Sequence, residues 1–340
     1  MKLPAAQLWL FPALLAALLL LALASLSLGV VPVSQEKLWT AAGQWLQGQS
    51  PDSMEWRIIT QIRLPRLVMA ATTGAVLAWC GLIFQTLLRN PLASPSVIGV
   101  SNGSALGAVA GMLLVGQAAW TRAWLVPWLS LAGGLAVIMI ILHLERRSRH
   151  NQSLLLNGIS LGLLCSALTT GLLFFAHERL EAIVFWMMGG LWQSTWSSAL
   201  TMTAVLVVQG VVLLVLAPSM NVLLLGDQTA RDLGLDARRT RRWLFTVVAL
   251  AIAIGVSLTG TIGFIGLIVP HILRLMLGND HRRLLPAVAA GGALLLVTAD
   301  LLARTLAAPA EIPVGVFTAI LGAPVFIWLL QNGTWARRKS

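Results

Sequence analysis

Ten apolar stretches, each roughly long enough for one helix to cross a bilayer, constrain this chain more than any other feature of its sequence. A helix spanning the hydrocarbon layer needs about 20 apolar residues, because in lipid every backbone N–H and C=O has to be paired within its own segment. The stretches cover residues 8–31, 67–88, 96–115, 124–144, 154–176, 199–217, 243–258, 262–277, 284–307 and 314–330. Hydrophobic residues make up 58% of the 340 and charged residues only 10%, where an ordinary soluble domain has about a quarter charged. An all-α polytopic membrane protein of about ten transmembrane helices is therefore expected, as a single domain over residues 1–340. The first apolar run is longer than the core of a secretory leader, so it reads as a retained span.

The charges that remain are informative through their placement. A net charge of +11 raises the question of nucleic acid, but the basic residues are scattered at the ends of apolar runs instead of gathered on one face, so no nucleic-acid partner is expected. With the amino terminus inside, cytoplasmic segments collect 16 of the 23 lysines and arginines. By the positive-inside rule both termini then lie in the cytoplasm. Cys80 and Cys165 each sit inside an apolar run and read as packing residues; no metal site or disulfide framework is indicated.

The longest charged interruption is Asn221 to Arg242, within a cytoplasmic loop at 219–242. It carries Asp227, Asp232, Asp236 and five arginines. Thr229 to Leu235 predicts a short helix with Ala230 and Leu233 on one face and Gly234 ending it. A short helix of this kind at the mouth of a membrane bundle suits a groove on a soluble partner. The alternative is a solvated loop with no partner.

Other segments punctuate the spans. Pro65 in Arg63-Leu-Pro-Arg66 suits the first turn of a helix, and its two flanking arginines suit the headgroup level. Arg89 to Pro95 holds two prolines and predicts a tight cytoplasmic turn. Gly99, Gly103, Gly107 and Gly111 recur at a spacing of four, a stripe that lets two helices approach closely. The fifth apolar stretch carries Ser160, Ser166, Thr169 and Thr170, which read equally as helix packing or as the lining of a wide translocation path. His177 to Glu181 and the following residues 185–192, with their tryptophans, predict a half-buried helix at the outer interface. Pro270 predicts a kink whose freed carbonyl a neighbour must satisfy, and His271 beside it reads as structural. Asp300 and Arg304, four apart in the ninth stretch, are placed to neutralise each other. No phosphate-cradling Gly-x-x-x-x-Gly-Lys-Ser/Thr and no nucleophile or paired-carboxylate motif occurs, so no enzyme is indicated.

Together, Arg63-Leu-Pro-Arg66, Asn90-Pro-Leu-Ala-Ser-Pro95 with Gly99-Val-Ser, Gly226 to Gly234, Gly263 to His271, Ala299-Asp300 and Leu321-Gly-Ala-Pro324 resemble the permease subunits of bacterial ATP-binding-cassette importers for ferric siderophores, heme and cobalamin. The resemblance runs from about residue 60 to the end. It implies the type II importer permease fold in the bacterial inner membrane, two permease subunits (identical or homologous) enclosing one path, two ATPase subunits below and a periplasmic substrate-binding protein above. ATP and Mg would sit on the ATPase, with no cofactor on this chain. It further implies a coupling helix at Gly226, Asp227, Ala230, Arg231, Leu233 and Gly234, binding-protein docking by Arg63, Arg66 and Arg304, and a cytoplasmic gate at Asn90, Leu92, Asn151 and Gln152. The last two depart in type from the family pattern. Ser160, Ser166, Thr169 and Thr170 would line the path. The rival of another class is an ion-coupled secondary transporter with Asp300 and Arg304 as its coupling pair; a membrane scaffold without transport would leave the hydroxylated stretch unexplained.

Overall fold

The computed structural model describes residues 5–29, 54–90, 93–95, 99–114, 119–147 and 153–331, together with 36, 39, 40, 43, 44 and 47. Among them the chain is helical, with no strand. In order, the main helices are α1 (Ala5–Ser27), α2 (Met54–Ile58), α3 (Leu64–Leu87), α4 (Val100–Leu114), α5 (Ala119–Arg147), α6 (Ser153–Phe174), α7 (Leu180–Met187), α8 (Trp196–Leu224), α9 (Asp227–Asp232), α10 (Ala237–Thr259), α11 (Ile265–Leu277), α12 (His281–Thr305) and α13 (Val314–Gln331). A π-helical turn, Ile59–Arg63, joins α2 to α3. Each of the ten apolar stretches becomes a helix. Among the described residues seven segments are long and apolar enough to cross a membrane, and the three at Val100–Leu114, Ile265–Leu277 and Val314–Ile327 are shorter.

Two of the short ones start later than their apolar runs, for a backbone reason. Gly99 has φ +73° immediately before α4, and Phe264 has φ +66° immediately before α11. A residue in the left-handed region cannot continue a right-handed helix, so the helix begins after it.

The core is organised around α3, the most buried of the span-length segments, as α1 is the least. α3 packs on α8, α10, α11 and α12, while α4, α5 and α6 form a second group joined to the first through α10. Glycines set the closest approaches. A Cβ on Gly81 would lie 1.7 Å from the Gly266 carbonyl oxygen, and one on Gly74 would lie 2.3 Å from that of Gly292, so α3 touches α11 and α12 backbone to backbone. The stripe on α4 behaves as expected: Gly107 meets the Leu129 carbonyl and Gly103 the side chain of Val137 on α5.

The proline in α11 is answered by a neighbouring side chain. Pro270 has no N–H for the Gly266 carbonyl four residues before it, and the Gln85 amide of α3 donates there at 3.5 Å and to Leu267 O at 3.1 Å. The 185–192 segment is corrected. Its helix, α7, ends at Met187, Trp186 is buried, and Gly189 (φ +72°) turns the chain so that Gly190 N donates to Thr259 O at 2.8 Å. Residues 189–192 are thus a loop packed against the end of α10.

Candidate functional site

The charged central segment folds as a six-residue helix held at both ends. Gly226 precedes α9 with φ +114°, and Asp227 is its first residue. At the other end Leu235 N donates to Ala230 O at 2.9 Å and Gly234 N to Arg231 O at 2.8 Å, with Gly234 at φ +77°. That pattern closes the helix carbonyls through a left-handed residue, which is where glycine is needed. The helix starts two residues before the sequence reading placed it. The expected shared face of Ala230 and Leu233 is also corrected: Ala230 is fully buried, whereas Leu233 caps the helix and is 62% exposed. Arg231 and Gly234 are exposed beside Leu233, so the outward surface of α9 mixes one large apolar side chain with charge.

Much of the surrounding charge is spent within the chain. The Asp227 carboxylate accepts from the guanidinium groups of Arg89, just after α3, and Arg241, on α10. Burial pushes the Asp227 carboxyl up, and Arg241 and Arg89 more than offset this, holding it below the usual carboxylate range. Glu145 at the end of α5 accepts from Arg238 at 3.2 Å and from Arg242 at 2.7 Å. Asp280, before α12, accepts from the Asn221 amide at 2.9 Å, and that bond is the first cause of its lowered pKa. Asn221 Oδ1 in turn accepts from the backbone N–H of His281 at 2.9 Å, while His281 Nε2 lies 2.7 Å from Thr86 Oγ1. α3, α5, α8, α10 and α12 are thereby knotted at one end of the bundle by three carboxylates.

At the opposite end of the bundle, Arg63, Arg66 and Arg304 are all buried. Arg66 Nε donates to Asp300 at 2.9 Å, and its two terminal nitrogens grip Glu311 at 2.8 and 3.0 Å, a bidentate pair. Arg63 Nη1 donates to the carbonyls of Leu26 and Ser27, and Arg304 Nη2 to the carbonyl and hydroxyl of Ser25. Those carbonyls close α1, whose C-terminal end attracts cations. Arg63 and Arg304 thus hold α1 in place, while Arg66 ties α3 to Asp300 and Glu311. Their expected role at an outer docking rim rests on the resemblance alone. The Asp300–Arg304 pair is also looser than the spacing suggested, at 3.8 Å, because Arg66 takes the carboxylate.

Of the remaining expected residues, Asn90 is exposed just beyond α3, and Leu92, Asn151 and Gln152 lie outside the described residues. Ser160, Ser166 and Thr170 on α6 face outward from this chain. Thr169 is buried and donates to Cys165 O at 2.8 Å, so its hydroxyl is occupied. Glu145 and Glu311 were missed by the sequence reading: their partners are 93 and 245 residues away, and no local spacing announces such pairs.

The sequence model of the FecCD transport family matches residues 17–332. The chain belongs to the FecCD transport family. Among relatives in this family, the vitamin B12 import system permease protein BtuC of Citrobacter koseri is 42% identical over 293 residues, covering 86% of this chain and 87% of the relative. The hemin transport system permease protein HmuU of Yersinia pestis is 40% identical over 327 residues, 93% of each chain. Among solved structures, an inward-facing metal-chelate type ABC transporter superposes with a TM-score of 0.83 at 30% identity, over 95% of this chain and 98% of its own. PsaBC from Streptococcus pneumoniae, at 15% identity and a TM-score of 0.53 over 80% of this chain and 92% of its own, shares the fold. As a FecCD permease with these helices, the chain is a multi-pass inner-membrane transport protein.

Proposed function

We propose that this chain is the membrane subunit of an ATP-driven importer that carries a ferric siderophore or a related metal chelate from periplasm to cytoplasm. Heme or cobalamin is the second reading, favoured by the vitamin B12 and hemin permeases among its relatives. The observation that carries the reading is α9: a short helix at one end of the bundle, held there by the Asp227–Arg241 pair and by buried Ala230, and presenting Leu233 and Arg231 outward. A six-residue helix has no stability of its own, so its position is set by these contacts with the bundle, which leave its outer surface open to a partner.

In this reading both termini are cytoplasmic and two ATPase subunits bind ATP and Mg. This chain hydrolyses nothing, and a second permease subunit completes the path against Ser160, Ser166 and Thr170. ATP-driven motion of α9 alternates the path between its outer and inner mouths. A periplasmic binding protein delivers the cargo. Docking through Arg63, Arg66 and Arg304 requires that their bonds to α1, Asp300 and Glu311 be exchanged for bonds to the partner. The ion-coupled alternative loses its basis, since Asp300 is held by Arg66 and Arg304 by Ser25.

The test is uptake into proteoliposomes holding this chain, its second permease subunit and the ATPase, with ferric hydroxamate siderophore, hemin and cyanocobalamin as probes. Uptake of one probe that stops when the phosphate-binding lysine of the ATPase is replaced is expected. Uptake that persists without ATP, or that follows a proton gradient, overturns the proposal.

A further inference from the structure

The pairing of Asp227 with Arg89 has a purpose that stability does not supply. Arg89 follows α3 and has φ +47°, a conformation that favours glycine. Asn90 N donates to Gln85 O at 3.1 Å across it, so an arginine occupies the left-handed position that closes the helix. Its side chain explains why a non-glycine residue is held there. Nε donates to Leu223 O at 3.2 Å, in the last turn of α8, and Nη2 to the Asp227 carboxylate at the first residue of α9. One guanidinium therefore joins three helix ends.

Resting on the importer reading above, we propose that Asp227 and Arg89 form the link through which displacement of α9 reaches the turn at the inner end of α3. Three features support it. Gly226, at φ +114°, joins α8 to α9 with no side chain to brace it, so the main chain alone transmits motion poorly. The Asp227–Arg89 bond bypasses that joint and connects α9 to a helix 138 residues away in sequence. Its far end is the residue immediately before Asn90, in the turn that closes α3. A pull on Asp227 acts on Arg89, whose left-handed backbone stores the strain that release would relieve. The Arg89 side chain is 39% exposed, and ion pairs so exposed contribute little to stability. Glue would be a poor account of it. Arg89 and Asp227 are thus positioning residues acting on the turn, and neither needs to touch cargo.

The experiment measures ATP hydrolysed per chelate imported in the reconstituted complex, with ferric hydroxamate siderophore, hemin and cyanocobalamin as probes. Wild type, Arg89→Gln, Arg89→Lys, Asp227→Asn and the Arg89→Gln/Asp227→Asn double variant are compared. Arg89→Gln is expected to assemble, hydrolyse ATP and waste it, raising the ratio about fivefold, with the double variant no worse than either single and Arg89→Lys partly restored. A merely structural role would lower thermal stability and uptake together and leave the ratio unchanged, which overturns the inference. Failure of Arg89→Gln to assemble with the ATPase overturns it as well, since the residue would then be building the interface. If the wild-type complex shows no ATP-driven uptake, the importer reading itself falls, a result distinct from either outcome.

Discussion

Replacing Gly81 by alanine tests the backbone contact on which the packing of α3 depends. The new methyl group would lie 1.7 Å from Gly266 O, 2.3 Å from its carbonyl carbon and 2.4 Å from its Cα. All three are main-chain atoms, so no side chain can rotate aside, and α3 and α11 must separate by about 1.5 Å to restore ordinary contact. Overpacking of this kind costs about 1–3 kcal/mol. The same separation pulls the Gln85 amide from the Gly266 and Leu267 carbonyls, and an unmet buried acceptor adds about 1–3 kcal/mol. A total of roughly 2–6 kcal/mol corresponds to a fall in Tm of about 3–8 °C for a chain of this size. Gly171→Ala on α6 is the matched control. A Cβ there meets nothing within 4 Å, and helix propensity favours alanine by up to about 1 kcal/mol. Unfolding is followed in detergent by a thiol-reactive dye, since Cys80 and Cys165 are both buried in the native chain. Dye reaction of Gly81→Ala at the wild-type temperature, within about 2 °C, would refute the reasoning.

Two further perturbations address the buried polar groups. Asp300→Ala should cost about 1–3 kcal/mol, because Arg66 keeps Glu311 and Arg304 keeps Ser25, whereas Asp300→Ala combined with Glu311→Gln, which takes both carboxylates from Arg66, should cost about 3–5 kcal/mol; equal losses in thermal unfolding would show that Glu311 does not compensate Arg66. Gln85→Ala should cost about 1–3 kcal/mol, and adding Pro270→Ala should recover part of it, because residue 270 would then offer an N–H to Gly266 O; no recovery in Tm would remove the explanation of the kink.

The extent to which the architecture was legible follows from the range of each signal. Apolar runs and glycine spacing act within one helix, so the ten helices, the stripe on α4 and the cap at Gly234 could be read from neighbouring residues. The carbonyl that Pro270 leaves free was also readable, but the Gln85 amide that meets it was not, lying 181 residues from Gly266. Charge was legible in amount but not in its partners. Arg63 and Arg66 read at the headgroup level beside Pro65, and the carboxylates and carbonyls that bury them together with Arg304 are assembled only by the fold. Leu233 was placed on the face of Ala230 by helical spacing, but α9 ends at Asp232 and Leu233 follows the cap. The gate at Asn90, Leu92, Asn151 and Gln152 rested on resemblance throughout.

The way α1 is attached has an evolutionary consequence. Arg63 and Arg304 grasp it mainly by peptide oxygens, at Ser25, Leu26 and Ser27, with the Ser25 hydroxyl as the one side-chain contribution. Peptide oxygens are the same whatever residue bears them. Most of the first helix is therefore free to drift in composition, or to be swapped for an unrelated greasy segment, provided it terminates at the same height and leaves those oxygens bare.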